Sequence, residues 1–380
     1  MPLPENIEKI VDQVRDELSR TAYQCQVLQP LIGGNANFVF HGTLTTPLSD
    51  GTHEILVKHG EPYASSSQSF PLPTSRCTIE AECLSQLGGA VSATNEWCHV
   101  RTPKLFHFDA STNTQVQEYL DNGIDLKNYA LKHYPPHTPI NLKEQCLGIG
   151  RGLGSWLHRF HEWVAQPAQS SLRDNAAANH ELQKLKHATY YQYLMMMVPR
   201  FTGLLSEAEA TFAKVKEMAD AELEKPDLQV VHGDFWTGNA LLPDVPITDA
   251  VQTPMFIVDW EVVSLGVRVR DVGQMMAELY MLKLFKNIDA GTWLVQGFLE
   301  GYGQLTTAEA FRVAIHIGCH LIVIGGTVQG WGSSEDVARV VTHGRDMIIN
   351  GWEKNSAWFE STDLAFMFKP QRDGVTVVEG

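Results

Sequence analysis

The sequence predicts an α+β fold in which a small antiparallel-sheet lobe precedes a larger, mainly helical lobe. Three observations carry that expectation. Short β-rich runs punctuated by glycines are gathered in the first 120 of the 380 residues, apolar residues recur at helical spacing over much of the rest, and two brief β-branched runs, at 228–242 and 255–263, interrupt the helical part.

The elements follow in order. Residues 4–20 place Ile7, Ile10, Val11, Val14 and Leu18 on one face of a charged helix. The period then changes: QVLQPLIGGNANFVFHGTL and EILVKHG, broken by Gly33, Gly34, Gly42 and an Asp50-Gly51 turn signal, predict three antiparallel strands. A loop rich in Ser and Pro at 64–75 leads to a helix carrying Ile79, Cys83, Leu84 and Leu87, which stops at Gly88-Gly89. Residues 104–108 and 114–120 are two further strand candidates, and the small lobe should end near Asn122-Gly123. Helices follow, clearest at 144–163 and 206–225; Ser206 to Glu209 has the form of a capping box and Pro226 supplies a stop. The apolar run 313–328 is interrupted by His316, His320, Gly325 and Gly326, so it predicts a buried helix and no membrane span.

Composition narrows the function. With 29 Lys and Arg against 44 Asp and Glu, a net charge of −15 leaves no broad basic surface for a phosphate backbone, which excludes nucleic acid as the expected partner. The cysteines at 25, 77, 83, 98, 146 and 319 form no Cys-x-x-Cys pair and read as thiols of a reducing compartment. The amino terminus, MPLPENIEKIVDQVRDELSR, lacks the apolar core of a secretion signal, so a cytoplasmic, membrane-free location is expected.

Two loops carry the chemistry. In His232-Gly233-Asp234-Phe235-Trp236-Thr237-Gly238-Asn239 an Asp ends an apolar strand and an Asn follows five positions later. That pair can accept the proton of an attacking hydroxyl and help hold a magnesium ion on phosphates, although an isolated Asp and Asn also serve as ordinary turn-formers. Ile257-Val258-Asp259-Trp260-Glu261, 25 residues after Asp234, delivers two more carboxylates, and a hairpin between the two runs would bring them together. Hard oxygen donors from adjacent loops suit magnesium, with substrate phosphates completing the shell; Asn239, Asp259 and Glu261 are the candidate ligands.

Upstream, the turn of LIGGNANFVF offers Gly33, Gly34, Asn35 and Asn37 to phosphate oxygens. Lys58 lies on the next apolar strand, where a cation is costly unless paired. Glu80 is the preferred partner because Leu84 and Leu87 share its helix face; the rival Glu82 lies about 160° round the helix from Leu84.

The order of glycine hairpin, strand Lys, helix Glu, His-Gly-Asp-x-x-x-x-Asn and Asp-Trp-Glu resembles the aminoglycoside phosphotransferase and choline kinase superfamily. GGNANFVF, VKHGEPY and SFPLPTSRCTIEAECL look most like its methylthioribose kinase branch, and HGDFWTGNALL, IVDWEVV and QGWGSSED also resemble the fungal hydroxytryptamine kinases of that branch. The resemblance implies a two-lobed, protein-kinase-like fold with a nucleotide-binding lobe at 1–120, a hinge at about 118–124 whose Glu118 and Leu120 backbone meets adenine, and a catalytic and acceptor-binding lobe at 121–380. It also implies ATP and Mg2+ as cofactors, with Asp234 as base and Lys58 on the phosphates. His161 matches a family position that braces the catalytic loop. Asp271 matches the segment after the metal loop and independently reads as a helix N-cap with Gln274 at N3. The departures count against methylthioribose: its kinases carry adjacent arginines where this chain has Arg339 and, separately, Arg345, and their loops read Ser for Asn and Asp-Pro-Glu for Asp-Trp-Glu.

The expected activity is therefore transfer of the ATP γ-phosphate to a hydroxyl of a small metabolite. An antibiotic phosphotransferase of the aminoglycoside type, or a nucleotide-binding pseudokinase-like module without turnover, are the alternatives. Trp236, His320 and Trp331 are acceptor-pocket candidates, whose rings suit an amine-bearing alcohol. His316, Cys319 and His320 share a helical turn but lack the pattern of a metal site and read as buried helix residues. His232 should orient the base.

Overall fold

A computed structural model describes residues 5–31, 34–248 and 250–368. The helix Glu5–Leu18 lies against a five-stranded antiparallel sheet ordered Cys25–Pro30, Phe38–Leu44, Glu54–His59, Thr114–Glu118 and Leu105–Asp109. Its Ile10, Val11, Val14 and Leu18 share one buried cluster with Phe38, Phe40, Ile55, Val57 and Val116 of the strands. Because successive strand residues alternate faces, Ile55 and Val57 on that side leave Lys58 to the other, where the helix Ser75–Leu87 packs.

A second sheet runs Gly123–Asp125, Ala240–Pro243, Thr253–Ile257, Cys98–Arg101 and Ser92–Thr94, and only the Thr253–Ile257 and Cys98–Arg101 neighbours are parallel. Residues 92–101 thus sit ahead of the sheet's other strands in sequence but beside them in space. The hairpin differs from expectation: Ala240–Pro243 folds back on Thr253–Ile257, while Gln229–Val231 pairs with Ser264–Gly266. The two candidate loops still meet, since Val258 N donates to Asn239 O at 3.0 Å.

Helices make up most of what remains. Lys143–Val164 and Ala290–Tyr302 touch along a glycine seam, so close that a Cβ on Gly154 would lie 1.9 Å from Phe298 O. The anticipated helix 206–225 is shorter, with a 3-10 turn over Ser206–Ala208 before Glu209–Leu223, and its capping box does not form. Ser206 already has helical backbone angles, φ −58° and ψ −36°, whereas a cap needs an extended residue. Capping boxes form instead at Thr306 with Glu309 and Ser333 with Asp336, whose cap residues are extended. Asp271 is no N-cap either: its helix, Val269–Lys286, starts two residues earlier. Among the described residues no helix is long and apolar enough to cross a membrane.

Candidate active site

Lys58 is the centre of the first cluster. Its ammonium donates to Glu80 Oε1 at 2.7 Å and to Asp259 Oδ1 at 2.8 Å, while Glu82 faces outward. Burial alone would lower the lysine's pKa, but the charges of Asp259, Glu80 and Glu261 outweigh it and raise the pKa, so Lys58 stays cationic. Burial likewise works to raise the Asp259 carboxyl, which Lys58 holds below the usual range. Asp259 has left-handed backbone angles, φ 68° and ψ 59°, a conformation that Asp tolerates better than most residues and that marks sites where surroundings hold the chain. What holds it is Trp260, fully buried, whose N–H donates to Glu80 Oε1 at 3.2 Å and whose indole donates to Ile257 O at 3.1 Å.

Arg76 closes the same cluster from the glycine side. Its guanidinium, fully buried, donates to Glu261 Oε2, Asn37 Oδ1, Ala36 O, Glu61 O and Pro73 O at 2.9–3.2 Å. Asn37 in turn donates to Glu261 Oε2 at 2.8 Å. Both ends of the Asn37 side-chain amide are engaged inward, fastening the glycine hairpin to the 259–261 loop. Gly34 and Asn35 lie exposed at the hairpin, their carbonyls accepting from Ser65 and Ser66, and Gly33 falls outside the described residues.

The 232–239 loop is shaped by one carboxylate. Asp271 accepts from His232 N at 2.8 Å, Gly233 N at 3.0 Å and His161 Nε2 at 3.2 Å, which keeps it ionised despite burial. Gly233 has φ +79°, and a Cβ there would lie 2.5 Å from Val262 O, so only glycine allows the two loops to close on each other. His232 donates from Nε2 to Val258 O and accepts from Asp234 N at Nδ1, orienting the next residue. Phe235 and Trp260, one from each loop, pack on Trp156 in the core, the first stacked and the second edge-on.

Asp234 emerges from this frame with Oδ1 taken by Lys186 Nζ at 2.5 Å and Gln274 Nε2 at 2.7 Å, and with Oδ2 unshared among the described residues. Asn239 donates from Nδ2 to Asp234 O at 2.9 Å, which turns its Oδ1 the other way. Asn239, Asp259 and Glu261 thus share a property: each commits one side-chain atom to the chain and keeps one oxygen. Around Lys58, two cations, Lys58 and Arg76, face the carboxyl groups of Glu80, Asp259 and Glu261; burial first, and then the charge of Asp259, push the Glu261 carboxyl up to about 8, so a further cation here would favour its ionised form. Among the described residues no group of three His, Cys, Asp or Glu could hold a metal ion by itself, so a magnesium ion held by Asn239, Asp259 and Glu261 would need phosphate oxygens to complete its shell.

Beyond Asp234 lies a second buried network. Thr237 Oγ1 and His320 Nε2 donate to Glu278 at 3.2 and 2.8 Å, and Tyr190 donates to His320 Nδ1 at 3.3 Å. Tyr190 and its neighbour Tyr191 come from a π-helical segment, Ala188–Gln192, a geometry common at functional sites. Tyr191 accepts from Arg312 at 2.7 Å and donates to His316 Nδ1 at 3.0 Å. His320 is therefore held by Glu278 and Tyr190. Trp236 is half-buried with its ring over Gly238, and Trp331 packs on Phe285 with the Lys127 ammonium 4.4 Å above its ring. At 118–120, the Glu118 carboxylate pairs with Arg101 through two 2.6 Å bonds and Leu120 is half-buried.

Four residues of this site have no place in the sequence-derived set. Arg76 lies one helical turn before Glu80, a spacing that signals a shared face; Lys186, Gln274 as a partner of Asp234, and Glu278 sit in helices with no motif.

No protein-family model matches the chain. A phosphotransferase, FrzJ, of Cladobotryum sp is 30% identical over 376 residues, covering 95% of this chain and 97% of the relative. The 4-hydroxytryptamine kinase of Psilocybe cubensis is 21% identical over 83% of this chain and 84% of its own. A solved choline kinase of Cryptosporidium parvum Iowa II aligns over 94% of this chain and 98% of its own at 12% identity and a TM-score of 0.49. With 30% identity to a phosphotransferase along almost its whole length, and with the glycine hairpin, strand Lys, helix Glu, His-Gly-Asp-x-x-x-x-Asn and Asp-x-Glu in order, the chain belongs to the aminoglycoside phosphotransferase and choline kinase superfamily.

Proposed function

We propose that the chain transfers the γ-phosphoryl group of ATP to a hydroxyl of a small metabolite, with residues 1–120 and 121–380 acting as two lobes of a protein-kinase-like fold and the nucleotide lying between them. What supports this reading most is that Asp234 has a carboxylate oxygen to spare and that its loop, which carries Asn239, is bonded to the loop of Asp259 and Glu261 through Val258 N and Asn239 O. Asp234 Oδ2 would accept the proton of the attacking hydroxyl as its oxygen bonds to the γ-phosphorus; the bond to the β–γ bridging oxygen breaks and its electrons leave with ADP. Lys58, held by Glu80, would set the α and β phosphates, and the glycine hairpin would close over them through backbone N–H groups. Residues 118–120 would meet adenine. Mg2+, held by Asn239, Asp259 and Glu261, would supply charge neutralisation on the phosphates.

Two relatives are 4-hydroxytryptamine kinases, which makes an aromatic alcohol bearing an amine the first acceptor to try. The test is ADP release from Mg-ATP across a panel of 4-hydroxytryptamine, choline, sugars, methylthioribose and aminoglycosides, by the wild type and Asp234→Asn. The expected result is release with one class of acceptor, at least about 100-fold slower in the variant. Release from aminoglycosides alone would favour the antibiotic reading, and nucleotide binding with no release would favour a module without turnover.

A further inference from the structure

The 232–239 loop carries Asp234 as its sole charged side chain apart from His232, so nothing on it can meet the negative charge of a phosphoryl group passing over Asp234. The cation that does stand there comes from elsewhere. Lys186, in the last turn of the helix His180–His187, reaches Asp234 Oδ1 at 2.5 Å, and its charge also helps to lower the pKa of Asp259 on the neighbouring loop. Its side chain is 21% exposed and that of Asp234 16%, so the pair sits at the edge of the site and open to a substrate. One of the three ammonium protons is used on Asp234, which leaves two for a further acceptor.

Two features fix the lysine in that position. Gln183, one turn back on the same helix, donates to Leu265 O at 2.6 Å, and Asn179 just ahead of it donates to Glu261 O and Val263 O at 2.9 and 2.8 Å, tying the helix to the strand that follows Asp259 and Glu261. Immediately after it, the π-helical segment anchors Tyr190 on His320 and Tyr191 on His316. A flexible side chain is thereby brought to the base from a helix fastened at both ends.

We propose that Lys186 is a further catalytic residue, the cation that contacts the γ-phosphoryl group during transfer; this rests on the phosphotransfer reading above. Lys186 donates hydrogen bonds and transfers no proton, which goes from the acceptor hydroxyl to Asp234 Oδ2. Before the γ-phosphate arrives the ammonium neutralises Asp234; with the γ-phosphate in place it bridges base and phosphoryl oxygen, holding the acceptor's two reacting partners together.

The test uses calorimetric titration of Mg-ATP and Mg-ADP into the full chain, as wild type, Lys186→Met, Lys186→Arg, Asp234→Asn and the Lys186→Met/Asp234→Asn double variant. Loss of a charge-assisted contact to the γ-phosphate should weaken ATP about tenfold in Lys186→Met and leave ADP within about twofold, with partial recovery in Lys186→Arg. Asp234→Asn frees the lysine, so its preference for ATP over ADP should exceed the wild type's, and the double variant should lose that gain. Equal effects on both nucleotides, or none on either, would assign Lys186 a structural role and overturn the proposal. If the wild type binds neither nucleotide, the phosphotransfer reading falls and this inference with it, a result distinct from a wild type that binds both and a lysine that does not matter.

Discussion

Two sets of buried carboxyl groups adjoin the 232–239 loop, and the chain satisfies them in different ways. Glu80 and Glu261 are matched by side chains of permanent charge, Lys58 and Arg76, which also reach Asp259, Asn37 and three backbone carbonyls. Glu278 is matched by Thr237 and His320, and behind them stand Tyr190, Tyr191 and His316, groups that can exchange donor and acceptor roles. On the function proposed above, the first set would meet the phosphates and a divalent cation, and the cation's charge would favour the ionised form of Glu261. The second presents invertible hydrogen bonds and aromatic surface, with Arg312 donating to Tyr191 at its far side, and on the proposed function it could be adapted to an acceptor.

Removing a fixed charge should therefore do the most damage. Lys58→Met takes away the cation proposed for the phosphates and leaves Glu80 buried without it; turnover should fall by about 100- to 1000-fold, with weaker Mg-ATP binding in the same preparation. Unchanged affinity and rate would move the nucleotide away from this cluster. Arg76→Met should act on the fold before the chemistry. Five acceptors lose their donor in a fully buried place, so denaturant unfolding should show a loss of about 3–5 kcal/mol. A loss below about 1 kcal/mol would mean that the hairpin is not fastened through this residue.

The invertible set should answer to pH instead. Burial first, and then the charges of Arg312, Arg270 and His320, hold the His316 imidazole well below its ordinary pKa. The unfolded chain takes up that proton as pH falls through about 6.5 while the folded chain does not, so stability is full above that pH and declines below it. His316→Gln should flatten part of the fall in melting temperature between pH 7 and pH 5 and leave the profile above pH 7 unchanged in shape. An unaltered acid slope would mean that His316 is protonated in the folded protein.

The same contrast explains how much could be read from the sequence. Asp234 with Asn239, and Asp259 with Glu261, lie on single loops within a few residues of each other, so their spacing is itself a signal. Lys58 was legible as a cation in an apolar strand, and Glu80 from the face it shares with Leu84 and Leu87. Lys186, Tyr190 and Glu278 each come from a different element, and residues gathered in that way have no spacing to recognise. Two local rules misled for one reason. Ser206-to-Glu209 and Asp271-to-Gln274 both fit a capping pattern, but tertiary packing continues the helical backbone through Ser206 and draws Asp271 onto the 232–239 loop.

The central claim is that a phosphoryl group leaves ATP for a hydroxyl under the control of Asp234. Phosphorus NMR of Mg-ATP with the full chain and the acceptor that the panel selects measures this directly. The account predicts that the γ-phosphate resonance disappears, a phosphomonoester resonance grows in equal amount, and neither change occurs with Asp234→Asn. A phosphomonoester formed as fast by that variant, or inorganic phosphate as the sole product, would contradict it.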